Sequence, residues 1–316
     1  MVISNQIFYR EYKMNNFNAL KKYTHKTNES EIFIEDVERI SENSFKAICI
    51  LVKNHFHYSD FLPTKNLINP TYLLECARQL ETFISHTEFN VALNTKFLLK
   101  SWYQCYTCTP IENAQSLDID IQTKHPINAN KRSNEYYFTF HVNKKTISKI
   151  KIDVSYLNEK CYKAIRNKNT HSHQNINPRS TILPMDVGYK CIANVAITLF
   201  NKNNLNYTAI LNIDNENITY NDHKQDHITG MNITEATKQL CFCYLSKIKN
   251  ENICMLIPTI IESHFFKYVE VDRLIILSIK NIELKYNCYV FFIDVIQCGA
   301  IMSSLKLTIE RNSWIP

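Results

Sequence analysis

The hydrophobic and polar positions of the chain predict short strands around one long helix. Residues 31–52 alternate apolar and polar side chains in short runs, which is typical of strands with one buried face. Asn69 and Pro70 then supply an N-cap and a first-turn proline for a helix that ends near His86. The helix is followed by residues 96–106 and then by a predicted polar loop at 110–135. Two antiparallel strands are predicted after the loop, at 136–142 and 148–156.

The same order of elements returns in the second half of the chain. A polar run at residues 166–180 is predicted to be a linker. Two strands are predicted after it, at 193–199 and 207–213, followed by a helix at 231–247. Four more strands are predicted after this helix, at 264–269, 274–284, 289–296 and 300–310. Strands around one long helix, repeated twice, predict an α+β fold rather than a parallel α/β fold. The chain is predicted to divide into an N-terminal extension at 1–23, a first domain at 24–165, a linker at 166–180 and a second domain at 181–316.

The two predicted helices carry the same polar motif. Each reads Glu-x-x-Arg/Lys-Gln-Leu, beginning at Glu75 and at Glu235, which are 160 positions apart. Spacings of three and four place the carboxylate, the cation and the amide on one helical stripe, and the leucine can face a core. The chain is therefore predicted to be a duplicated domain with one polar stripe in each copy. A carboxylate and a cation held together on a rigid helix are suited to proton transfer and charge stabilisation.

Composition and charge set the class of protein. The 316 residues are 45% hydrophobic and 21% charged, which suits two globular domains. A net charge of +6 without a dense basic block gives no indication of nucleic-acid binding. The eleven scattered cysteines are typical of a reducing compartment, and no apolar run is long enough for a membrane span. We expect a soluble, cytoplasmic protein.

Two short patterns bear on metal binding. His223-x-x-Asp226-His227 precedes the second helix and suits a proton relay, a metal pair or structural hydrogen bonds. Cys105-x-x-Cys108 is a single pair, which is better explained by two half-buried strand cysteines. Because neither pattern is followed by a third ligand at a recognisable spacing, no metal site is predicted.

Several motifs resemble one protein family. The second copy contains Asp222-His-Lys-Gln-Asp-His-Ile-Thr-Gly230-Met, followed by Asn-Ile-Thr-Glu235-Ala-Thr-Lys-Gln239, and the first contains His55-Phe-His-Tyr-Ser-Asp before Glu75. Together with the lead-in Thr24-His25-Lys26, these stretches resemble the A-factor biosynthesis hotdog family from about Thr24 to Glu310. The resemblance implies two tandem hotdog domains, each a long central helix wrapped by a curved antiparallel sheet, packed as an intramolecular pseudo-dimer.

The resemblance also implies an activity. Members of the family transfer a β-ketoacyl group from an acyl-carrier-protein or CoA thioester to the hydroxyl group of dihydroxyacetone phosphate, in the synthesis of γ-butyrolactone signals. The implied partners are the thioester and a small phosphorylated alcohol, without a cofactor. The implied catalytic residues are Glu75, Arg78, Glu235 and Lys238. The implied substrate-binding residues are His55, Gln79, His223, His227, Gly230 and Gln239.

Each implied role has an alternative in the local sequence. Glu75 and Glu235 are expected to be general bases with a pKa raised by burial, or orienting carboxylates, but Glu235 also fits a capping box that begins at Asn232. The cations are expected at the thioester oxyanion or the acceptor phosphate, whereas their alternative is an ion pair on a solvated face. Lys238 replaces the arginine of the family. Gly230 offers a backbone N–H at the positive end of the helix, or a tight turn with positive φ.

Two other classes of function remain open. The stretch from Gly230 to Gln239 is also similar to hydroxyacyl-carrier-protein dehydratases, which share the hotdog fold. A dehydratase or thioesterase would use the glutamates on an acyl thioester without a phosphate-binding cation. A non-catalytic acyl-binding module would require neither glutamate to be buried.

Overall fold

The structure is a computed structural model that describes residues 11–13, 17–64, 67–108, 114, 116–129, 131–166, 182–203 and 206–311. Apart from Arg166, the predicted linker at 166–180 lies outside these residues. In the predicted extension at 1–23, a short strand and the start of a helix are described. None of the helices in the described ranges has the length and apolar character needed to cross a membrane.

Four helices and thirteen strands make up the described chain. The helices are α1 Phe17–Thr24, α2 Pro70–Thr87, α3 Glu159–Arg166 and α4 Gly230–Lys249. The strands of the first half are β1 Glu11–Lys13, β2 Ile34–Arg39, β3 Ser44–Ile50, β4 Lys96–Tyr106, β5 Ser116–Thr123, β6 Ser133–Val142 and β7 Lys145–Leu157. The strands of the second half are β8 Ile197–Asn203, β9 Asn206–Leu211, β10 Leu256–Phe265, β11 Ile275–Lys285, β12 Cys288–Gln297 and β13 Ala300–Arg311.

One antiparallel sheet runs through both halves of the protein. Its strand order is β1-β2-β3-β5-β6-β7-β4-β10-β13-β12-β11-β9-β8, and the halves meet where β4 pairs with β10. At this seam the indole N–H of Trp102 donates to the hydroxyl of Ser263 at 2.8 Å. The α+β prediction with two tandem hotdog domains is confirmed, because each half wraps its own long helix.

Both central helices are built for burial. The side chain of Asn69 caps α2 by accepting from the N–H of Thr71, and every residue of α2 except Arg78 and Thr87 is buried. Thr229 caps α4 in the same way, through the N–H of Asn232. Each helix is the centre of a separate apolar cluster. The polar stripes of α2 and α4 are therefore held inside the protein.

Three predicted elements are wrong. The predicted polar loop at 110–135 contains β5, whose alternating pattern places Leu117, Ile119 and Ile121 in the core and leaves its aspartates outside. Of the strand predicted at 264–269, only residues 264 and 265 are in a strand, where they end β10. Strand β10 begins earlier, at Leu256, and contains Pro258. The proline is tolerated in the strand because it lies beside a register shift in the pairing of β10 with β13. The strand predicted at 193–199 begins only at Ile197, because residues 192–194 form a 3-10 turn.

Candidate active site

Two buried glutamines show which residues of the two halves are equivalent. The amide of Gln79 donates to the carbonyl oxygen of Glu31 at 2.7 Å and accepts from the N–H of Phe33 at 3.0 Å. Gln239 makes the same pair of bonds, at 2.8 and 2.7 Å, with residues 194 and 196. A residue of the first half near Glu31 therefore corresponds to the residue of the second half that lies 163 positions later in the sequence. Both glutamines, predicted to bind substrate, are fully buried and hold backbone instead.

In the first half, Glu75 gathers two cations. Its carboxylate receives the guanidinium of Arg78 on both oxygens, at 2.8 and 2.7 Å, and the ammonium of Lys26 at 3.0 Å. Burial alone would raise the pKa of Glu75, but the charges of Arg78 and Lys26 hold it well below its ordinary value. The expectation of a raised pKa is therefore wrong, and Glu75 suits an orienting carboxylate rather than a general base.

This carboxylate opens onto a cavity of about 230 Å³. The first half contributes the Glu75 cluster and an apolar wall. The second half contributes the loop before α4 and the first turn of α4. The lining residues are His25, Lys26, Glu75, Arg78, Glu81, Thr82, Phe97, Leu99, Ile152, Val154, Thr219, Tyr220, Asp222, His223, Gln225, His227, Thr229, Gly230, Met231 and Asn232. We call this cavity the open site. Both halves of the chain are needed to form it.

Asp222 fixes the second-half loop against the first half. Its carboxylate accepts from the backbone N–H groups of Thr27 and Asn28, at 2.7 and 2.8 Å, and from the ring of His223 at 3.1 Å. Burial opposes ionisation of this carboxyl, but these hydrogen bonds lower the pKa of Asp222 to about 2. The loop is thereby tied to the segment that carries His25 and Lys26.

In the second half, the equivalent glutamate lies in a closed cluster. Glu235 contacts the ammonium of Lys238 at 2.8 Å and accepts from the hydroxyl of Tyr189 at 2.7 Å. His57 lies 3.8 Å from the same carboxylate. Burial opposes ionisation here too, but Lys238 and His57 hold the pKa of Glu235 well below its ordinary value. We call this cluster the closed site.

Aromatic residues fill the closed site. Asp60 accepts from the N–H groups of Lys190 and Cys191, as Asp222 does from Thr27 and Asn28, so Phe61 stands where the open site has His223. The ring of Phe61 lies 4.0 Å from the ammonium of Lys238, whose side chain is 0% exposed. By the same correspondence, Tyr189 stands where the open site has Lys26. Lys238 therefore has no route to a substrate in this structure.

Two alternative roles for residues of α4 are wrong. Asn232 lies inside the helix, Thr229 is the N-cap, and the carboxylate of Glu235 binds side chains rather than the helix start. The capping-box interpretation of Glu235 therefore fails. The ion pair of Lys238 with Glu235 exists, but it is buried rather than on a solvated face.

The remaining predicted residues divide between cavity and framework. His223 and His227 line the open site, where His227 also contacts the carboxylate of Asp226 at 2.7 Å. Gly230 lines it too, but the positive-φ alternative is wrong, and its lack of a side chain instead admits Leu99, which would lie 2.7 Å from an added Cβ. His55 is held in the interior by Glu31 at 3.2 Å and does not line the cavity.

The open site also contains His25, Lys26 and Glu81, to which the sequence analysis assigns no role. His25 and Lys26 lie on the segment that follows α1, and Glu81 lies one and a half turns beyond Glu75 on α2. Superposing the two repeats beyond the helix motif would have drawn attention to His25 and Lys26, because the second half has Gly188 and Tyr189 there.

Glu81 is a buried carboxyl group at the apolar end of the open site. It accepts hydrogen bonds from the hydroxyls of Ser85 and Thr82, at 3.0 and 3.2 Å, and Ser85 continues to the hydroxyls of Tyr136 and Tyr156. Burial raises the pKa of Glu81 to about 7, against the lowering effects of these hydroxyls and of Arg78. The second helix has Cys241 at this position. The described part of the second helix therefore has no carboxyl group at the equivalent position.

We expect Glu81→Gln to stabilise the protein at neutral and alkaline pH but not in acid. Because the folded-state pKa is raised, folding favours the protonated carboxyl, and this contribution is lost as pH rises from the unfolded value through about 7. The variant should equal the wild type at about pH 3.5 and exceed its free energy of unfolding by up to about 3 kcal/mol at about pH 8.5. Urea unfolding at both pH values measures the difference. A deficit of equal size at both pH values would contradict a protonated Glu81.

Comparisons with known proteins agree with this architecture. The family model of the A-factor biosynthesis hotdog domain matches residues 17–157 and 171–281. The chain is 22% identical over 261 residues to the 2-oxo-3-(phosphooxy)propyl 3-oxoalkanoate synthase of Streptomyces virginiae, covering 80% of this chain and 84% of that protein.

Solved structures share the fold at low sequence identity. A putative oleoyl thioesterase from Lactobacillus plantarum has a TM-score of 0.52 and 9% identity over 86% of this chain and 96% of its own. An acyl-ACP thioesterase from Bacteroides thetaiotaomicron has a TM-score of 0.51 and 13% identity over 84% of this chain and 98% of its own. A bifunctional dehydratase-cyclase domain of ambruticin biosynthesis has a TM-score of 0.50 and 9% identity over 89% of this chain and 95% of its own.

Proposed function

Because the chain belongs to the A-factor biosynthesis hotdog family, we propose that it is an acyltransferase that moves a β-ketoacyl group from a thioester to a small phosphorylated alcohol. The donor would be an acyl-carrier protein or CoA, and the acceptor dihydroxyacetone phosphate or a similar molecule. In this reaction the acceptor oxygen forms a bond to the acyl carbon, the carbon–sulfur bond breaks, and the hydroxyl proton ends on the thiol. No cofactor is required, because the thioester already activates the acyl group.

The observation that supports this proposal most strongly is the pair of cations in the open site. Lys26 and Arg78 are held by one ionised carboxylate, and both line a cavity that has an apolar wall. A fixed ammonium and a guanidinium suit a phosphate group or the oxyanion of the tetrahedral intermediate. The guanidinium keeps 27% of its side chain exposed, so it is available to a ligand.

The apolar end of the open site favours a ketone on the acyl chain. Phe97, Leu99 and Ile152 form a wall suited to an alkyl chain, and Glu81 lies among such residues. A protonated carboxyl can donate a hydrogen bond to a ketone oxygen, which an unsubstituted alkyl chain lacks. This arrangement supports a 3-oxoacyl group rather than a plain acyl group.

The activity is tested by incubating the purified protein with a β-ketoacyl thioester, with and without dihydroxyacetone phosphate, and identifying products by mass spectrometry. We expect the phosphorylated ester only when the acceptor is present. Release of free acid at the same rate in both samples would favour a thioesterase, and an unsaturated acyl product from a 3-hydroxyacyl thioester would favour a dehydratase. Binding of the thioester without turnover would indicate an acyl-binding module.

We expect Lys26→Met to weaken use of the phosphorylated acceptor. The change removes one charge-assisted hydrogen bond, which corresponds to an increase of about 10- to 150-fold in the KM for that acceptor. Thioester hydrolysis should change much less, because water brings no phosphate. Lys22→Met is the matched control, since Lys22 is exposed and lies outside the cavity. Equal losses in transfer and hydrolysis would assign Lys26 to the thioester oxyanion instead.

A further inference from the structure

His25 has a left-handed backbone conformation, which is uncommon for residues other than glycine. Its φ is +57°, in the left-handed region that favours glycine. The equivalent position in the second half is Gly188, with φ of +87°. The chain has three glycines, and one of them is used at this turn in the closed site. The two sites therefore differ at this turn by the presence of an imidazole, and this difference suggests a function for the His25 side chain.

A chain of hydrogen bonds fixes which nitrogen of His25 carries the proton. The Nδ1 atom of His86 lies 2.6 Å from the carbonyl oxygen of Val91, which can only accept, so Nδ1 of His86 must be protonated. In the neutral ring the Nε2 atom of His86 is then an acceptor, and it lies 2.8 Å from Nε2 of His25. His25 therefore donates through Nε2 and keeps a lone pair on Nδ1.

The surroundings keep this ring uncharged at neutral pH. Burial, with the neighbouring His86, Arg78, His223 and Lys96, lowers the pKa of His25 to about 4. These groups belong to α2, to the loop before α4 and to β4, and Lys26 adjoins the ring along the chain. A bound phosphate would oppose the positive charges and make His25 more basic. The lone pair is thus available when the acceptor arrives.

We propose that His25 is the general base that activates the acceptor hydroxyl, and that His86 positions it by fixing its tautomer. This inference rests on the proposed function. His25 lines the same cavity as Lys26 and Arg78, whereas Glu75 is occupied by both cations. In the reaction, Nδ1 takes the hydroxyl proton as the oxygen attacks the thioester carbon. When the carbon–sulfur bond breaks, the same proton passes to the leaving sulfur, so the ring ends neutral.

Chemical rescue tests the inference. His25→Gly places at this turn the residue that the second half already has, and it leaves a gap for free imidazole. We expect the rate of transfer to fall by about 100-fold or more, as for loss of a general base. Added imidazole should then raise the rate of the variant by at least about tenfold. Wild type should not respond to imidazole. His25→Asn, which tolerates positive φ without acting as a base, should be equally impaired.

Thioester binding and thermal unfolding are measured on the same variants. A folded His25→Gly protein that transfers within about threefold of wild type would overturn the inference. Loss of transfer in both variants without any rescue would also overturn it and would make His25 a substrate-positioning residue. If wild type gives no transfer but hydrolyses the thioester, the proposed function fails. The rates of thioester hydrolysis by wild type and by His25→Gly, with and without imidazole, then test whether His25 is the general base for water.

Discussion

Replacing Glu75 by glutamine is expected to lower acyl transfer by about 100-fold or more, whereas the same change at Glu235 leaves turnover per folded molecule within about threefold. In the open site, the amide cannot hold Lys26 and Arg78 as the carboxylate does. Their charged groups then lose the orientation on which, in the proposed mechanism, binding of the acceptor and stabilisation of the intermediate depend. In the closed site, Glu235 faces Lys238 and Tyr189 without access to substrate.

This pair of substitutions serves as its own control, because both glutamates occupy equivalent positions. Steady-state transfer is measured on both variants and corrected by the folded fraction from circular dichroism. Equal losses of turnover would show that the closed site opens during catalysis. Unchanged turnover in Glu75→Gln would remove the open site from the proposed mechanism.

Lys238→Met is expected to be among the most destabilising single changes in α4. The substitution removes the cation that balances a carboxylate with 4% of its side chain exposed. Removing one partner of a buried ion pair typically costs about 3–5 kcal/mol, because the other charge stays buried without compensation. Lys238→Arg should also be destabilising, since the larger guanidinium must fit against Phe61 and Tyr189, which fill the space around the ammonium.

Urea unfolding of a double-mutant cycle with Glu235→Gln measures this interaction. The double variant should recover at least about 1 kcal/mol relative to Lys238→Met, because no buried charge remains unpaired. Arg78→Met is the matched change in the open site. It should cost less than half as much, because Glu75 keeps Lys26 and the guanidinium is partly solvated. Identical costs at the two positions would contradict the distinction between the sites.

The repeated helix motif was a reliable guide to the fold. The pattern of α2 and α4 is local, and burial of their stripes follows from spacing on one helix. The difference between the open site and the closed site could not be predicted from the helix motif. It depends on Phe61, which reaches Lys238 from the other half of the chain, and on Tyr189, which lies 49 residues before Lys238.

The direction of the glutamate pKa shifts was wrong for a related reason. Burial of Glu75 was expected from the stripe, and burial alone would raise its pKa. Its second cation is Lys26, which comes from a segment 49 residues earlier and cannot be inferred from helical spacing. The group whose pKa does rise is Glu81, which shares the helix but has no cation bonded to it.

The junction of β4 with β10 has a consequence for how the protein evolved. Two identical chains related by a two-fold axis must carry every substitution twice, so they cannot improve one site and abandon the other. Joining both repeats in one polypeptide removes that constraint. Phe61 and Gly188 can therefore serve one copy and His25 the other, without a compromise between the two sites. A single chain can thus carry two unlike sites, which a symmetric pair of identical chains could not.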